Sequence, residues 1–513
     1  MDPFDQHSPG PATGAQHSTS AALPSADSCY RALAAKDTRF DGVFFTGVKT
    51  TGIYCRPVCT AKTPRATSCT FFATAAKAEA AGFRPCLRCR PELAPYALQQ
   101  NLAYAVWQRI AAGALNDGDL ERLSQEVGLS SRQLRRVLVQ HFGVTPVELA
   151  QTQRLLFSKK LLQETALPMA DVAFAAGFGS VRRFNALFAA RYRMAPTAVR
   201  RAGATSGATI GVLGPDSLTL GLAYRPPFDW PRMLAYLAGR AMPGLEAVLP
   251  DDERGAYVRS VRLGDAHGWL RVTQDAGRDQ LRLQVSASLA GVLMPLLARV
   301  RSQFDLDANP AVIAAHLAQD AGLAPQIAAQ AGLRVPGAFE PFELAIRAIL
   351  GQQVSVAGAT TISGRLLARF GEPAATPFAA VTRHFPRPQQ LAQAEVGDVA
   401  QLGMPQTRAQ TIIDFARFTA DGGLNIRPGT GLDAAVAQLK TVRGIGDWTA
   451  HYIALRALRF PDAFPAGDLG LQKAAALIDA APERLTEKQL HARAQDWAPW
   501  RGYAALALWH ALA

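Results

Sequence analysis

Two stretches decide the fold of the N-terminal module: Thr50-Thr51-Gly52-Ile53-Tyr54-Cys55-Arg56-Pro57-Val58-Cys59 and Gly82-Phe83-Arg84-Pro85-Cys86-Leu87-Arg88-Cys89-Arg90. Each holds two cysteines spaced so closely that both sulfurs can face one ion, and two such pairs complete the tetrahedral thiolate set that zinc prefers. The sequence therefore predicts one zinc ion held by Cys55, Cys59, Cys86 and Cys89. Arginines stand among these cysteines and would draw a polyanion toward the sulfurs. A purely structural zinc knuckle is the alternative.

Length, charge and cysteine content restrict the class of protein. With 513 residues the chain is too long for one core, which predicts roughly three or four domains. The balance of 54 Lys+Arg against 41 Asp+Glu gives a net charge of +13, which suits a nucleic-acid partner. Six cysteines, four of them in metal spacing, indicate a reducing compartment. Because no apolar run is long enough to cross a bilayer and no secretory pattern opens the chain, we expect a cytoplasmic, nucleoid-associated monomer without membrane contact.

The order of the segments predicts a multidomain fold, mainly α with α+β parts. Residues 1–28, rich in Ser, Pro, Gly and His, are predicted to be a disordered tail, and the small α/β zinc module is predicted at 29–98. Helical periodicity runs through 99–203. Strand-like segments interleave with helices at 213–330, which predicts an α+β domain with an antiparallel sheet; these segments are Ser217–Tyr224, Gly268–Thr273 and Gln280–Ser286. An all-α domain broken by Gly and Pro is predicted at 331–513.

Four thiolates around one zinc ion keep a net negative charge, so an accessible sulfur in this cluster is a nucleophile. Residues from about Asp41 to Pro91 resemble the N-terminal domain of the Ada family, in which one zinc thiolate accepts a methyl group from a DNA methylphosphotriester. The resemblance implies that Cys55 is the acceptor. It also implies that Thr51, Lys62 and Arg84 contact phosphates, although Lys62 stands where the family usually has Arg. Cys29 and Cys69 lack a paired spacing and are expected to be buried packing residues.

Methyl transfer would also change the charge of the module. A methylated Cys55 is a thioether rather than a thiolate, so the zinc site becomes less negative and repels DNA phosphates less. One event would then repair a lesion and tighten DNA binding. The alternative is that the N-terminal half only tethers the chain to DNA.

Helix start signals mark two helix-turn-helix units in the middle of the chain. Ser130 precedes Gln133 by three residues, which predicts a capping box, and Thr145 with Pro146 and Glu148 predicts a capped linker helix. The second unit runs from Met169 through Phe188. The arrangement resembles an AraC-type DNA-binding domain. Residues on the polar faces are then expected to reach DNA, or alternatively only to solvate the helices: Arg132, Gln133, Arg136, Arg182, Arg183 and Asn185.

A glycine hairpin and a later aspartate mark the C-terminal domain. The stretch from Leu439 to Ala450 contains Gly444 and Gly446, which allow a tight turn whose N–H groups suit a phosphate. Asp468 follows at another helix start, where an aspartate is ordinarily only an N-cap. Together at this spacing the two features resemble the helix-hairpin-helix DNA glycosylase superfamily.

More of the chain resembles one branch of that superfamily, the AlkA-type 3-methyladenine glycosylases. The matching stretches lie in about 213–513: Arg225-Pro226-Pro227-Phe228-Asp229-Trp230, Phe304-Asp305-Leu306, Ala348-Ile349-Leu350-Gly351-Gln352-Gln353-Val354-Ser355-Val356, Leu402-Gly403-Met404-Pro405 and Trp500-Arg501-Gly502-Tyr503-Ala504. The resemblance implies that Asp468 stabilises an oxocarbenium-like sugar and directs water. It implies a base pocket of Trp448, Tyr452, Trp509 and Tyr236, whose rings would attract an electron-poor base.

Departures from the family pattern refine this expectation. Leu469 stands where the family has a pocket Tyr, and Gln353 stands where AlkA has the Leu that wedges into DNA. Bifunctional relatives place a Lys at the position of Trp448, so no strand cleavage through a Schiff base is expected. Because no cysteine follows Cys89, neither an iron–sulfur cluster nor a second Ada methyl acceptor is expected. The resemblance also implies a monovalent cation on hairpin carbonyls near Val442–Gly446.

The combined expectation is an alkylation-damage protein that joins a methyl-accepting zinc sensor, a DNA-binding domain and a monofunctional glycosylase. Its expected partners are alkylated double-stranded DNA, promoter DNA and, during activation, RNA polymerase. The alternative is a non-catalytic regulator whose glycosylase half is degenerate.

Overall fold

The computed structural model describes residues 23–95, 102–205, 216–250, 254–275 and 277–512. Most of the predicted tail therefore lies outside the described residues. Its last part does not follow the prediction, because helix α1 (Ala26–Ala35) begins before residue 28, with the Ser25 side chain accepting from the Ser28 N–H at its start. The zinc module thus starts a few residues earlier than its composition suggested.

The zinc module, residues 26–95, is built on a four-stranded sheet in the order β3-β1-β2-β4. Its elements are β1 (Phe45–Val48), β2 (Ile53–Cys55), β3 (Cys69–Phe72), α2 (Ala75–Ala80) and β4 (Arg84–Pro85), with short 3₁₀ turns at Thr38–Phe40, Ala66–Ser68 and Pro91–Leu93. Strands β2 and β4 run parallel, with Tyr54 opposite Pro85. Each cysteine pair starts where one of these two strands ends, so the parallel register brings the pairs side by side.

The helix-turn-helix domain, residues 102–205, is entirely helical. Its helices are α3 (Leu102–Ala111), α4 (Leu120–Glu126), α5 (Ser131–Phe142), α6 (Pro146–Glu164), α7 (Met169–Ala175), α8 (Val181–Tyr192) and α9 (Pro196–Thr205). Both predicted capping boxes are present, Ser130 with Gln133 and Thr145 with Glu148. The linker helix α6 is enclosed so completely that Lys159 and Lys160 are buried.

The sheet domain, residues 216–330, carries a five-stranded antiparallel sheet in the order β5-β9-β8-β7-β6. Its elements are β5 (Ser217–Ala223), α10 (Trp230–Ala238), β6 (Glu246–Leu249), β7 (Ala256–Leu263), β8 (Ala266–Gln274), β9 (Gln280–Ser286), α11 (Leu293–Gln303), α12 (Pro310–Leu317) and α13 (Ala324–Ala329), with a 3₁₀ turn at Ala287–Val292. The sequence predicted β5, β8 and β9. It missed β6 and β7, and β7 is buried along nearly its whole length, so it lacks the polar alternation that marks a half-exposed strand.

The hairpin domain, residues 331–512, is helical except for one short antiparallel strand pair at residues 372–373 and 383–384, which the all-α prediction did not include. It comprises α14 (Pro341–Leu350), α15 (Val356–Phe370), β10 (Glu372–Pro373), β11 (Arg383–His384), α16 (Pro388–Ala392), α17 (Val396–Ala400), α18 (Gln406–Ala420), α19 (Leu432–Leu439), α20 (Asp447–Arg456), α21 (Leu469–Ile478), α22 (Glu487–Arg493) and α23 (Arg501–Ala511), with a 3₁₀ turn at Ala494–Trp497. Among the helices described here, none has both the length and the apolar character that a bilayer crossing requires.

The hydrophobic cores contain residues from more than one of these domains. One core contains Leu161 and Phe184 of the helix-turn-helix domain together with Leu220 and Val285 of the sheet domain. A second core joins Phe342 and Ile453 of the hairpin domain to Ile313 and Ile327 of the sheet domain. The helix-turn-helix domain and the sheet domain therefore share apolar contacts in one core rather than forming independent units.

Candidate metal centre and active-site cavity

The four cysteines that the sequence paired come together. The sulfurs of Cys55, Cys59, Cys86 and Cys89 all lie within 4.8 Å of one another. Zinc–sulfur bonds of about 2.3 Å place the corners of a tetrahedron roughly 3.8 Å apart, so this donor set fits one zinc ion. Cys59 and Cys86 are buried, whereas Cys55 and Cys89 are half-buried.

Backbone N–H groups distinguish the two half-buried cysteines. The Arg56 N–H donates to the Cys89 sulfur at 3.4 Å, whereas within the described ranges no N–H group makes such a bond to the Cys55 sulfur. An N–H bond stabilises a thiolate and lowers its nucleophilicity. Of these two cysteines, Cys55 therefore has the sulfur whose charge is less damped.

The residues expected to contact phosphate lie around this cluster. Thr51 and Lys62 are exposed and Arg84 is half-buried. The Arg84 N–H donates to Gly52 O at 2.9 Å, which holds Arg84 beside the turn that carries Thr51. Their contacts with DNA remain predictions.

The two remaining cysteines differ from each other. Cys29 is buried as expected, with its sulfur 3.4 Å from Pro24 O. Cys69 is half-exposed, and the expectation that it is buried was wrong, because β3 is an edge strand of the small sheet.

The helix-turn-helix residues expected to reach DNA are all exposed on α5 and α8: Arg132, Gln133, Arg136, Arg182, Arg183 and Asn185. Gln133 is already engaged, because its side-chain oxygen accepts the Ser130 N–H at 2.9 Å in the capping box. The side chains of the arginines and of Asn185 make no hydrogen bond in the described helix caps, so they are better placed than Gln133 to contact bases or phosphates.

A cavity of about 820 Å³ opens between the sheet domain and the hairpin domain. Its walls come from α10, α14, α20 and α23, together with the loop that precedes α21. All five residues assigned to glycosylase chemistry line it: Asp468, Trp448, Tyr452, Trp509 and Tyr236. The structure thus brings together residues that are spread over most of the C-terminal half.

The Asp468 carboxylate is held by N–H donors on both oxygens. Oδ1 accepts the Leu471 N–H at 2.9 Å, which makes Asp468 the N-cap of α21, and it also accepts Trp509 Nε1 at 3.0 Å. Oδ2 accepts Trp448 Nε1 at 2.9 Å. The N-cap role and the position in the cavity therefore coexist in one residue. The three N–H donors fix the orientation of the carboxylate in the cavity, where its negative charge would oppose a developing positive charge.

The aromatic side chains of the cavity form a continuous wall. The rings of Trp448 and Tyr452 are stacked at 5.2 Å with planes 11° apart, and Trp509 meets Tyr452 edge-on at 6.4 Å. Sequence reasoning identified these aromatic residues but not the indole N–H bonds that tie two of them to Asp468.

Sequence reasoning also missed two arginines in the cavity. Arg240 lies 3.9 Å from the centre of the Tyr236 ring, and Arg456 lies 4.9 Å from it and 5.3 Å from that of Tyr452. Arg456 also donates to the Tyr452 hydroxyl. Arg240 follows Tyr236 by four residues, and Arg456 follows Tyr452 by four. This is a helical spacing, which could have revealed both contacts from the sequence.

These arginines bear on the prediction that all four rings attract an electron-poor base, because they already contact two of the rings. Burial raises the pKa of Tyr236 to about 12. Burial alone would also raise the pKa of Tyr452, but Arg456 and Arg240 outweigh it and bring that pKa below its ordinary value. Because guanidinium groups already occupy the tyrosine rings, the two tryptophans are the surfaces best suited to an electron-poor base.

A buried ion-pair network forms another part of the cavity wall. Arg347 Nη2 binds Glu246 at 2.6 Å and Glu343 at 2.7 Å, and Arg259 binds Glu343 at 2.7 Å. Burial raises the pKa of Glu246, but Arg347 and Arg259 outweigh it and hold that pKa below its ordinary value. The network joins the sheet domain to α14 at the cavity wall.

The glycine hairpin precedes α20 as predicted. Gly444 has φ +91°, and a Cβ there would lie 2.2 Å from Thr411 Oγ1, so this position requires glycine. Gly446 has φ −88°, a conformation that does not require glycine. Gly444 O accepts Gln352 Nε2 at 3.0 Å. The exposed Gln353, in a left-handed conformation with φ +56°, therefore stands next to the hairpin, while the monovalent cation expected there stays a prediction.

Comparison with known families defines the class of protein. Family models match four segments: the metal-binding domain of Ada at residues 28–92, a helix-turn-helix domain at 123–202, the AlkA N-terminal domain at 219–340 and the HhH-GPD superfamily of base excision DNA repair proteins at 346–499. The chain therefore joins an Ada-type zinc domain, which binds one zinc ion through four cysteines, to a DNA-binding domain and an AlkA-type glycosylase fold.

Individual relatives specify the family. The chain is 38% identical over 489 residues to the probable bifunctional transcriptional activator/DNA repair enzyme AlkA of Mycobacterium tuberculosis, covering 94% of this chain and 96% of that protein. It is 36% identical to DNA-3-methyladenine glycosylase 2 of Escherichia coli over 56% of this chain and 96% of that protein. It is 37% identical to the E. coli activator/repair enzyme Ada over 25% of this chain and 36% of that protein. The chain belongs to the family of bifunctional transcriptional activator/DNA repair enzymes of the AlkA type.

Proposed function

We propose that this protein repairs alkylated DNA and regulates the response to alkylation. In this proposal residues 29–98 form the methyl-accepting sensor, 99–203 the DNA-binding domain, and 213–330 with 331–513 the glycosylase. The convergence of Asp468 and four aromatic side chains on one cavity carries the proposal. The E. coli relative is named for 3-methyladenine, which supports bases of that type as substrates.

Base excision follows from the groups in the cavity. An N-alkylated purine is a good leaving group, so the enzyme needs mainly to flip the base out and to stabilise the sugar cation. Trp448 and Trp509 offer stacking surfaces and fix the Asp468 carboxylate through their N–H groups. The carboxylate opposes the positive charge that develops on the sugar and directs a water molecule toward it. Gln353 stands beside the hairpin, where it can fill the space that the flipped nucleotide leaves.

The glycosylase is proposed to be monofunctional. Strand cleavage by bifunctional enzymes requires a lysine amine that forms a Schiff base with the sugar. Trp448 occupies the position where such relatives have Lys, and no lysine lines the cavity among the described residues. The product is therefore an intact strand with an abasic site, and borohydride should trap no covalent complex with the enzyme.

The sensor is proposed to transfer a methyl group from a DNA methylphosphotriester to Cys55. The Cys55 sulfur attacks the methyl carbon, the carbon–oxygen bond breaks, and the phosphodiester leaves with the electron pair. Zinc holds the four sulfurs as thiolates, while Thr51, Lys62 and Arg84 are proposed to hold the phosphate. The half-buried position of Cys55 supports this assignment, as does the contrast with Cys89, whose sulfur accepts the Arg56 N–H.

Regulation is proposed to follow from the loss of charge at the sensor. A methylated Cys55 makes the zinc site less negative, so promoter DNA binds more tightly to the module and to the exposed arginines of α5 and α8. RNA polymerase is the proposed partner in activation, and the protein is proposed to act as a cytoplasmic, nucleoid-associated monomer.

One assay tests both activities. The protein is incubated with methylated DNA, and protein-bound methyl groups and released bases are measured in parallel. We expect Cys55→Ser to lose methyl binding but keep base release, and Asp468→Asn to do the reverse. Base release that is equal in Asp468→Asn and wild type would favour the alternative, a regulator with a degenerate glycosylase half. Promoter binding that does not change with methylation would favour a simple tether.

A further inference from the structure

Two arginines next to zinc ligands begin chains of polar contacts that lead from the zinc module to other domains. Arg90 directly follows Cys89, and its guanidinium binds both Glu92 of its own loop at 3.0 Å and Glu164 at the end of α6. Both carboxylate side chains are less than 10% exposed. The loop that carries the second cysteine pair is therefore anchored on the linker helix by a buried ion pair.

The same cluster contains two lysines of the linker helix. Lys159 Nζ binds Glu92 at 2.6 Å, and Lys160 Nζ binds Glu164 at 2.9 Å. Burial raises the pKa of Glu164, but Lys160 and Arg90 outweigh it and hold that pKa below its ordinary value. The cluster thus keeps its charges inside the protein, where each depends on its partners because water cannot replace them.

The cluster ends on the backbone of the glycosylase half. Strand β5 is an edge of the five-stranded sheet, and an edge strand leaves outward N–H and C=O groups unpaired. At Gly221 both outward groups are satisfied by α6: the Gly221 N–H donates to Glu164 Oε2 at 3.1 Å, and Gly221 O accepts Lys160 Nζ. Side chains of the linker helix therefore take the place of a neighbouring strand.

A second contact starts from the other cysteine pair. Arg56, which follows Cys55, binds the Asp41 carboxylate with its Nε at 2.8 Å. The backbone oxygen of Asp41 in turn accepts Arg225 Nη2 at 2.6 Å, and Arg225 Nη1 binds Asp307 O of the sheet domain at 2.6 Å. Arg225 also reaches Pro95 O at 3.3 Å. One buried guanidinium thus joins the zinc module to the sheet domain through carbonyl groups of both.

We propose that the zinc module docks on the sheet domain through these two contacts and is a structural part of the glycosylase half, so that zinc occupancy controls the order of the edge strand β5. Without zinc, four thiolates lose the ion that holds them together and the loop from Cys86 to Glu92 opens. Loss of Glu92 leaves the buried Lys159 without its carboxylate, and loss of Arg90 leaves the buried Glu164 with Lys160 as its remaining charged partner. The edge strand loses the hydrogen bonds that depend on this cluster.

Hydrogen exchange of the full-length protein tests this proposal, with zinc content measured on the same samples. Peptides covering β5 are compared between zinc-loaded protein and protein treated with a chelator, and peptides covering α18 serve as the internal reference. We expect zinc removal to raise exchange in β5 about tenfold or more, the size expected for losing a hydrogen bond to a charged group, and to leave α18 unchanged.

Variants separate this coupling from general destabilisation. Glu164→Gln keeps the shape of the side chain but removes its charge, so β5 should exchange rapidly even with zinc bound, and zinc removal should add little. Glu126→Gln is the matched control, because Glu126 pairs with Arg109 on the surface of the same domain. It should behave as wild type. Arg90→Gln provides the same test from the zinc side if Glu164→Gln does not fold.

Two results would overturn the proposal. In the first, zinc removal opens the loop around Cys86 while exchange in β5 stays at its zinc-bound rate. In the second, β5 and α18 respond equally and the response persists in Glu164→Gln, which would mean that zinc stabilises the chain without this cluster. Neither result depends on methyl transfer or base excision, so the proposal fails or survives independently of the proposed function.

Discussion

The zinc cluster and the Asp468 cavity are each proposed to present an anion to DNA, but the N–H donors around the two anions differ. Of the two half-buried cysteines of the cluster, Cys89 accepts the Arg56 N–H at 3.4 Å, and among the described residues no such bond reaches the Cys55 sulfur. In the cavity, Asp468 receives three N–H bonds, two of them from indoles. An undamped anion is a nucleophile, whereas a saturated one stabilises charge without forming a bond. The difference fits the proposed roles, a sulfur that reacts once and a carboxylate that acts repeatedly.

The largest expected effect concerns the carboxylate. Asp468→Asn keeps an N-cap for α21 but removes the negative charge, so base excision should fall by at least about 100-fold. Single-turnover release of 3-methyladenine from alkylated DNA measures this.

Asp320 offers a matched control for that variant. It also accepts an indole, Trp497 Nε1 at 2.7 Å, and a backbone N–H, that of Leu323 at 3.0 Å, but it lies outside the cavity. Asp320→Asn should lower stability and leave excision close to wild type. An equal loss in both variants would show that Asp468 matters only for folding.

A smaller effect should follow from removing one donor at a time. Trp509→Phe keeps an aromatic ring but deletes the N–H that binds Asp468 Oδ1, so excision should fall about tenfold. Trp497→Phe deletes the corresponding bond to Asp320 and should not change the excision rate. If Trp509→Phe excises at the wild-type rate, the indole N–H groups do not position the carboxylate.

The arginines on the tyrosine rings should affect preference more than rate. Arg240→Gln exposes a face of Tyr236, so excision of a cationic base such as 7-methylguanine should rise relative to a neutral base by about three- to tenfold. Competition between the two substrates in one reaction measures the ratio. Arg232→Gln is the control, because Arg232 lines the same cavity but pairs with Asp229. An unchanged ratio in Arg240→Gln would remove Arg240 from base selection.

The smallest expected effect is a difference in pH dependence between the two halves. Burial raises the pKa of Glu79, in the zinc module, from 4.5 to about 7. Between pH 4.5 and pH 7 the folded protein keeps a proton on Glu79 that the unfolded chain releases. The free energy of unfolding therefore falls as pH rises through this range. Burial lowers the pKa of His510, in the cavity, from 6.5 to about 4. As pH falls, the unfolded chain binds a proton on His510 at a higher pH than the folded protein does. The free energy of unfolding therefore falls as pH drops from 6.5 to 4.

Two variants measure these opposite slopes by thermal unfolding at pH 5 and pH 8. The Tm of Glu79→Gln minus the Tm of wild type should be a few degrees more positive at pH 8 than at pH 5. His510→Asn should show the opposite change. The same sign in both variants would contradict the assigned protonation states.

The two sites also differ in how far the sequence could predict them. The zinc ligands lie on two short loops, and their spacing alone specified the cluster. The capping boxes of α5 and α6 were likewise predictable, because a cap is a local contact. The cavity is assembled from α10, α14, α20 and α23, so Trp448 and Trp509 could be named but their bonds to Asp468 could not. Strand β7 and the contacts among Arg90, Glu164 and Gly221 depend on burial and on distant partners, which a local pattern does not record.

The most direct test of this contrast asks which sulfur carries the methyl group. Zinc-loaded protein is incubated with DNA containing methylphosphotriesters, digested, and examined by peptide mass spectrometry. A single methyl group on Cys55, with Cys59, Cys86 and Cys89 unmodified, is the predicted result. A methyl group on Cys89, the other half-exposed sulfur, or one spread over several cysteines would contradict the claim that the absence of an N–H bond selects the nucleophile.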